Sequence, residues 1–326
     1  MAPTNKHLAQ EPVAEGPLGP SLSPLQESWR LLRENRLAFA GFIIFITFFC
    51  VALGGLVLTY GSQPVLDPAL VRLTEKLRPP LTTPDLETLR PEEVPRLGIY
   101  ILGTDDLGRD VFARMLQGAW VSLSVGFVAV GISVIVGLLM GGIAGYFGQH
   151  RAFLDTLIMR FVDIMLCFPS FFLILTVVAL LPASMYNIMI VIGLTSWMGT
   201  TRFVRAEFLS LREQDFVTAA RALGVNHWRI IFRHMMPNAI APVLVSATIG
   251  IAGAILTEAG LSFLGFGVPP PDATWGNILS DGKDFIFDAP WLTYIPGIAI
   301  LIIVLSFNLF GEGLRDILNP RLRERH

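Results

Sequence analysis

The sequence predicts an all-α membrane protein with six transmembrane helices and both termini on the cytoplasmic side. Composition is the first reason: of 326 residues, 53% are hydrophobic and 15% charged, where a soluble domain carries about a quarter charged residues. The apolar residues also collect into runs close to the ~20 residues needed to cross the hydrocarbon core. Finally, the arginines fall on alternate loops, as the positive-inside rule requires of a multi-span chain. A net charge of −2 leaves no basic field for nucleic acid.

Residues 1–30 begin rich in Pro, Gly, Ala and Glu without apolar periodicity, which predicts a disordered cytoplasmic tail. Residues 31–60 hold the first span with its cytoplasmic lead-in. Its apolar run, Ala38–Tyr60, starts too far in and is too long for a cleavable signal peptide, so it should remain as an anchor. Residues 61–117 read as an extracytoplasmic loop and residues 118–314 as a five-helix core. The core runs are Trp120–Phe147, Phe153–Leu181, Tyr186–Thr201, Ile240–Leu261 and Leu292–Phe310. A cytoplasmic loop, 202–238, lies between the fourth and fifth spans, and a cytoplasmic tail, 315–326, ends the chain.

Orientation follows from arginine placement. Arg30, Arg33 and Arg36 precede the first span, Arg151 follows the second, and Arg202, Arg205, Arg212, Arg221, Arg229 and Arg233 fill the loop after the fourth. Arg315, Arg321, Arg323 and Arg325 follow the sixth. All fall on one face, which the positive-inside rule makes cytoplasmic. The charged loop 61–117 does not contradict this, because long loops cross regardless of charge.

Within the second span, Gly137, Gly141 and Gly145 recur every four residues and align as one small-residue stripe, a seam where a neighbouring helix can approach closely. Cys50 and Cys167 lie in apolar runs and read as buried free thiols, with nothing to support a disulfide.

The stretch Asp215–Asn238, DFVTAARALGVNHWRIIFRHMMPN, breaks the apolar pattern. Phe216, Ala219, Ala220 and Leu223 recur at three- and four-residue steps, which predicts a short amphipathic helix. Gly224 permits a sharp turn, Asn226 is placed to cap a second helix, and Pro237 should close it. A short cytoplasmic helix rich in small residues suits insertion into a groove on another protein. Its periodicity equally fits an interfacial helix lying on lipid.

The pattern Thr218-Ala219-Ala220, three residues, Gly224, then Pro237 resembles the Glu-Ala-Ala loop of ABC importer membrane subunits. Thr218 stands where that family carries Glu, and His234-Met235-Met236-Pro237 where it carries Ile-x-Leu-Pro, departures similar to those of the peptide/nickel branch. Ile101–Leu123 and Leu256–Gly276 resemble the same branch, in the order of the second, C-type, of its two paired permeases. The resemblance covers roughly residues 31–318. It implies the type I ABC importer permease fold in a bacterial inner (plasma) membrane, with di- or oligopeptides as cargo. Nickel chelates or other small solutes of the branch are the alternative cargo. It further implies a homologous permease partner, two ATP-binding subunits and an extracytoplasmic substrate-binding protein. Asp215, Phe216, Thr218, Ala219, Ala220, Arg221, Leu223 and Gly224 would then form the coupling helix that meets an ATPase. No G-x-x-x-x-G-K-[S/T] occurs in the chain, so it should hold no cofactor itself, with ATP and Mg bound by the partner subunits.

Other features read more plainly. Asp155, Arg160 and Asp163 near the start of the third span are costly against lipid; Arg160 and Asp163 are placed to pair at i,i+3, as a structural ion pair rather than a proton relay. Glu258 and the Gly260-Leu261-Ser262-Phe263 stretch have no histidine base on their side of the membrane, which argues against a serine protease, and the scatter of histidines argues against a metal site. Gly103–Asp110 reads as a helix cap or a contact for a binding protein, and Gly267–Gly276 as an outer loop with Trp275 at the membrane interface. An ion-driven secondary transporter, the rival class, would show repeated halves and mid-membrane carboxylates, and the sequence shows neither clearly.

Overall fold

The computed structural model describes residues 24–61, 64–148 and 152–318. The remainder of the expected N-terminal tail and all but the start of the C-terminal tail lie outside those residues. Eleven α-helices are found among the described residues, joined by short 3-10 turns and one π-helical turn, with no strand. Helix α1 (Pro24–Glu34) begins inside the stretch expected to be disordered. It forms because Leu31 and Leu32 share one face, which packs against Ala38, Phe310 and Ile317 of the first and last spans. Helix α2 (Arg36–Thr59) follows, with Asn35 as its cap: the Asn35 Oδ1 accepts the Ala38 N–H at 3.1 Å.

Helix α3 (Val111–Phe147) is the central mast, packed against α2, α6, α9 and the short α10. It begins nine residues before the expected Trp120, because Asp110 caps it through the Phe112 N–H and its polar first turns are matched by partners. Helices α4 (Ala152–Leu166) and α5 (Ser170–Leu180) were expected as one straight span. They instead meet at 83° across Cys167-Phe168-Pro169, where Pro169 has no N–H to continue the helical ladder. Helix α6 (Met185–Arg212) runs well past the expected Thr201.

Helices α7 (Asp215–Ala222) and α8 (His227–Arg229) lead into α9 (Met236–Phe263). Pro237 does not close a helix as expected; it sits in the first turn of α9, and the chain is continuous from His227 to Phe263. The π-helical turn Ile230–Met235 makes room, with the Met236 N–H donating to the Ile231 carbonyl, a wide turn of the kind that absorbs an extra residue within a helix. Helices α10 (Trp275–Gly282) and α11 (Trp291–Leu318) complete the chain.

Four stretches are long and apolar enough to cross a membrane singly, namely α2, α3, His227–Phe263 and α11, and the bent α4–α5 pair makes a fifth. The sixth expected span, α6, is 28 residues long but too polar to pass the same measure. Some of its polar residues face inward: Thr195 and Thr201 are buried, and Ser133 of α3 meets Thr200 at 3.0 Å. Cys50 and Cys167, expected to be buried, are exposed on the surface of this chain. A thiol facing a nonpolar solvent needs no burial by protein, and the apolar run around each residue could not distinguish the two.

Candidate functional site

The C-terminal ends of α3 and α6 form a platform for α7. Tyr146, Val204, Phe208, Leu211, Ile230, Ile231 and Met235 make an apolar cluster, and Val217 and Ala220 of α7 press into it. Successive helical residues rotate by 100°, so Val217, Ala220 and Arg221 share the inner face while Phe216, Ala219 and Leu223 line the outer one. Ala220, grouped with the outward residues in the sequence, therefore turns inward and is 7% exposed. The signal that separates it from Ala219 is its i,i+3 pairing with Val217. Arg221 lies over the Tyr146 ring at 5.2 Å, and the Tyr146 hydroxyl meets the His227 Nδ1 at 2.7 Å.

The outer face has no partner among the described residues. Asp215, Thr218 and Ala219 are exposed, Phe216 is 37% exposed and Leu223 83%. Its angle is fixed by the turn that follows. Gly224 has φ +72°, with the Val225 N–H donating to the Ala220 carbonyl at 3.1 Å and the Gly224 N–H to Arg221 at 2.9 Å. This pair of bonds is the Schellman arrangement, which requires a left-handed residue after the helix. Asn226 caps the next helix through the Trp228 N–H at 2.9 Å, as its position predicted. The loop from α6 to α9 is thus a folded bracket with one apolar face inside and one outside.

The glycine stripe lies where α3 crosses α6. A Cβ on Gly137 would stand 2.5 Å from Thr200 Cγ2, one on Gly141 2.6 Å from the Thr201 carbonyl oxygen, and one on Gly145 2.6 Å from Phe208 Cβ. The membrane-edge ions pair across helices: Asp155 takes both Nε and Nη2 of Arg205 at 2.6 Å, and Asp163 takes Arg202 at 2.5 Å. Arg160, expected to pair with Asp163, is exposed with no ion pair among the described residues. The reason is reach. A partner on α6 faces Asp163 directly, whereas Arg160 is exposed.

At the opposite end, Asp105 is buried and receives Arg109 Nε at 2.7 Å and Arg114 Nη1 at 2.5 Å. Asp281 of α10 joins both arginines at 3.1 and 3.0 Å. This network staples the segment before α3 to α3 and α10, and α10 is the partner that no local sequence pattern disclosed. Its three nearby carboxylates, Asp105, Asp106 and Asp281, are close enough to hold a cation, but Arg109 and Arg114 already occupy the space between them. Trp275, expected at the membrane interface, is instead 1% exposed, with its Nε1 donating to the Met115 carbonyl at 3.1 Å. A buried indole with a satisfied N–H is a packing anchor. Glu258 and Ser262 bond to one another at 2.6 Å in a buried pair, with no histidine beside them among the described residues.

Residues 112–324 match the family described as binding-protein-dependent transport system inner membrane component. Residues 23–80 match the N-terminal transmembrane domain of oligopeptide transport permease C. The dipeptide transport system permease protein DppC of Alkalihalophilus pseudofirmus is 40% identical over 93% of this chain and 92% of its own length. DppC of Haemophilus influenzae is 38% identical over 93% and 96%, and the oligopeptide permease OppC of Bacillus subtilis 34% over 93% and 92%. Among solved structures, a chain of the inward-facing MetNI methionine ABC transporter aligns with TM-score 0.52 at 18% identity, over 64% of this chain and 98% of that one, which shows a shared fold. This chain is a multi-pass inner-membrane permease of the binding-protein-dependent ABC transport family, a C-type permease of the peptide branch with the type I importer fold.

Proposed function

We propose that this chain and a homologous permease together form the pathway for di- or oligopeptides, delivered by an extracytoplasmic binding protein and driven by two separate ATPase subunits. On this reading α6 crosses the membrane as the sixth span, both termini are cytoplasmic, and the outer face of α7 seats in a groove of one ATPase. The observation that carries it is the two-sided α7. A helix lying on lipid needs one apolar face, whereas α7 spends one on its own core and presents Phe216, Ala219 and Leu223 on another. The substrate class is supported by the names of the relatives, which are dipeptide and oligopeptide permeases. No residue of this chain is assigned chemistry on ATP or peptide.

The test separates the two faces. Leu223→Asp and Ala219→Glu replace outer contacts with charge, a change on the order of 2 kcal/mol or more at a buried interface anchor. Both variants should reach the membrane at normal levels and lose the ATPase subunits on copurification. Gly224→Val adds strain of roughly 1–3 kcal/mol in a left-handed backbone, since nothing lies within 4 Å of the new Cβ. Gly224→Asn, which tolerates that region, should restore coupling. Undiminished ATPase association in Leu223→Asp and Ala219→Glu would refute the docking surface.

A further inference from the structure

The outer segment between α2 and α3 lines a half-open cavity of about 460 Å3, within the range of small-ligand sites. Arg72 lines it and is 6% exposed. Its Nε donates to the Glu93 carbonyl at 2.5 Å and its guanidinium lies 6.0 Å from the centre of the Tyr100 ring. Its Nη1, however, is buried with no hydrogen-bond partner among the described residues. A buried guanidinium N–H left without an acceptor is costly, so the missing partner of Nη1 is the informative feature.

The acids around the cavity do not supply it. The Glu93 carboxylate is held by the Arg90 N–H at 3.1 Å and by the Arg90 side chain at 3.7 Å. Exposed Glu92 meets the same arginine at 3.9 Å. Asp67 accepts the Ala69 N–H and Asp110 the Phe112 N–H, each at 2.9 Å. Burial also pushes the Asp110 carboxyl above its ordinary range, against the opposing pull of the Phe112 and Ala113 N–H groups and of the nearby Arg72 charge, with which it makes no hydrogen bond. Arg96 is exposed on the same cavity and makes no ion pair among the described residues. The carboxylates accept other donors, whereas the Arg72 Nη1 has no hydrogen-bond partner and Arg96 no ion pair among the described residues.

We propose that this cavity binds the C-terminal carboxylate of a short peptide at the outer face of the permease, with Arg72 as the donor and Arg96 as a second cation at the rim. A planar guanidinium matches a carboxylate in shape and gives a charge-assisted bond. The apolar side chains that share the lining, among them Val65, Leu66, Leu70 and Val94, suit a peptide's side chains and would be left uncovered by a small inorganic anion. The choice of a peptide as ligand rests on the peptide-importer reading above; the anion site itself does not.

The test uses the full chain in lipid nanodiscs and titration calorimetry with the tripeptide Gly-Leu-Phe, its C-terminal amide and inorganic phosphate. The free acid should bind saturably, and the amide and phosphate at least tenfold more weakly. Arg72→Gln should weaken the acid at least tenfold and Arg96→Gln threefold or more, while Val65→Trp should block the cavity. Arg96 and Val65 are both exposed, so these two variants keep the test valid if Arg72→Gln fails to fold. Equal affinity for acid and amide, phosphate binding as tightly as peptide, absence of saturable binding, or wild-type affinity in both Arg96→Gln and Val65→Trp would overturn the proposal. Uptake of the tripeptide by cells carrying the complete transporter is scored separately. Intact uptake without binding at the cavity removes this site and leaves the transport reading standing. Binding without uptake does the reverse.

Discussion

Gly141→Leu is the sharpest probe of how the spans are held together. The glycine sits at the centre of the α3–α6 crossing, where a Cβ alone would lie 2.6 Å from the Thr201 carbonyl oxygen, 2.8 Å from Val204 Cβ and 3.0 Å from the Arg205 nitrogen. Carbon contacts are most favourable at about 3.5–4.0 Å, so the helices must separate by roughly 1 Å before the rest of the leucine is placed. Two of the three neighbours are backbone atoms of α6 and cannot swing aside. Overpacking of this kind costs about 1–3 kcal/mol, and the separation would also loosen Gly137 against Thr200 and Gly145 against Phe208. Gly131 supplies the internal control, since it lies on the same helix with nothing within 4 Å of its Cβ position. Thermal unfolding of the purified chain and its level in the membrane should both fall for Gly141→Leu and hold for Gly131→Leu. Indistinguishable behaviour of the two variants would show that the close crossing is not a source of stability.

A reporter enzyme active only outside the cytoplasm should work when fused after Arg90 and fail after His326; activity at His326 contradicts the proposed orientation. Purified alone, the chain should show no saturable ATP binding, and a saturable isotherm would contradict the assignment of nucleotide to partner subunits. Asp155→Asn should lower stability by on the order of 2 kcal/mol, because it breaks a two-point bond to Arg205 that is mostly shielded from water. A double-mutant cycle with Arg205→Gln should then show coupling, and strictly additive penalties would mean that the pair contributes nothing. The more exposed Asp163–Arg202 pair should contribute less than about 1 kcal/mol in the same measurement.

The apolar runs made the helices legible because lipid and protein core both demand apolar side chains over the length of a span. The same ambiguity concealed whether Cys50 and Cys167 faced protein or the surface. Cap chemistry is local, so Asn226 and the left-handed turn at Gly224 were readable from neighbouring residues. Pairings distant in sequence were not. Nothing near Asp163 identifies Arg202, nothing near Arg114 identifies Asp281, and the inward turn of Trp275 depends on the Met115 carbonyl of another helix. The bend at Pro169 was missed because Phe153–Leu181 satisfies the length and apolarity of one span. Proline alone does not say whether a helix kinks or turns by 83°.

On the proposed reading, the arrangement around Phe208 explains how a push on α7 could reach the spans without being absorbed on the way. Phe208 is fully buried. It touches the position of Gly145 on α3 and belongs to the same cluster as Val217 and Ala220 of α7 and as Ile230, Ile231 and Met235 at the start of the helix that becomes α9. One side chain therefore stands between the docking helix and three of the long helices. Arg205, one turn earlier on α6, fastens α4 through Asp155, and the Arg212 Nη1 reaches the Gly145 carbonyl at 3.4 Å. Close-packed interiors compress little and pass displacement on. The glycine seam removes the side chains that would otherwise cushion α3 against α6, and the Schellman turn fixes the angle of α7 to α8. The irregular points lie elsewhere, at the 83° break between α4 and α5 and at the π-helical turn beneath α9. Motion entering at α7 would then move the cytoplasmic halves of α3 and α6 as one body, and bending would fall at those two irregular points.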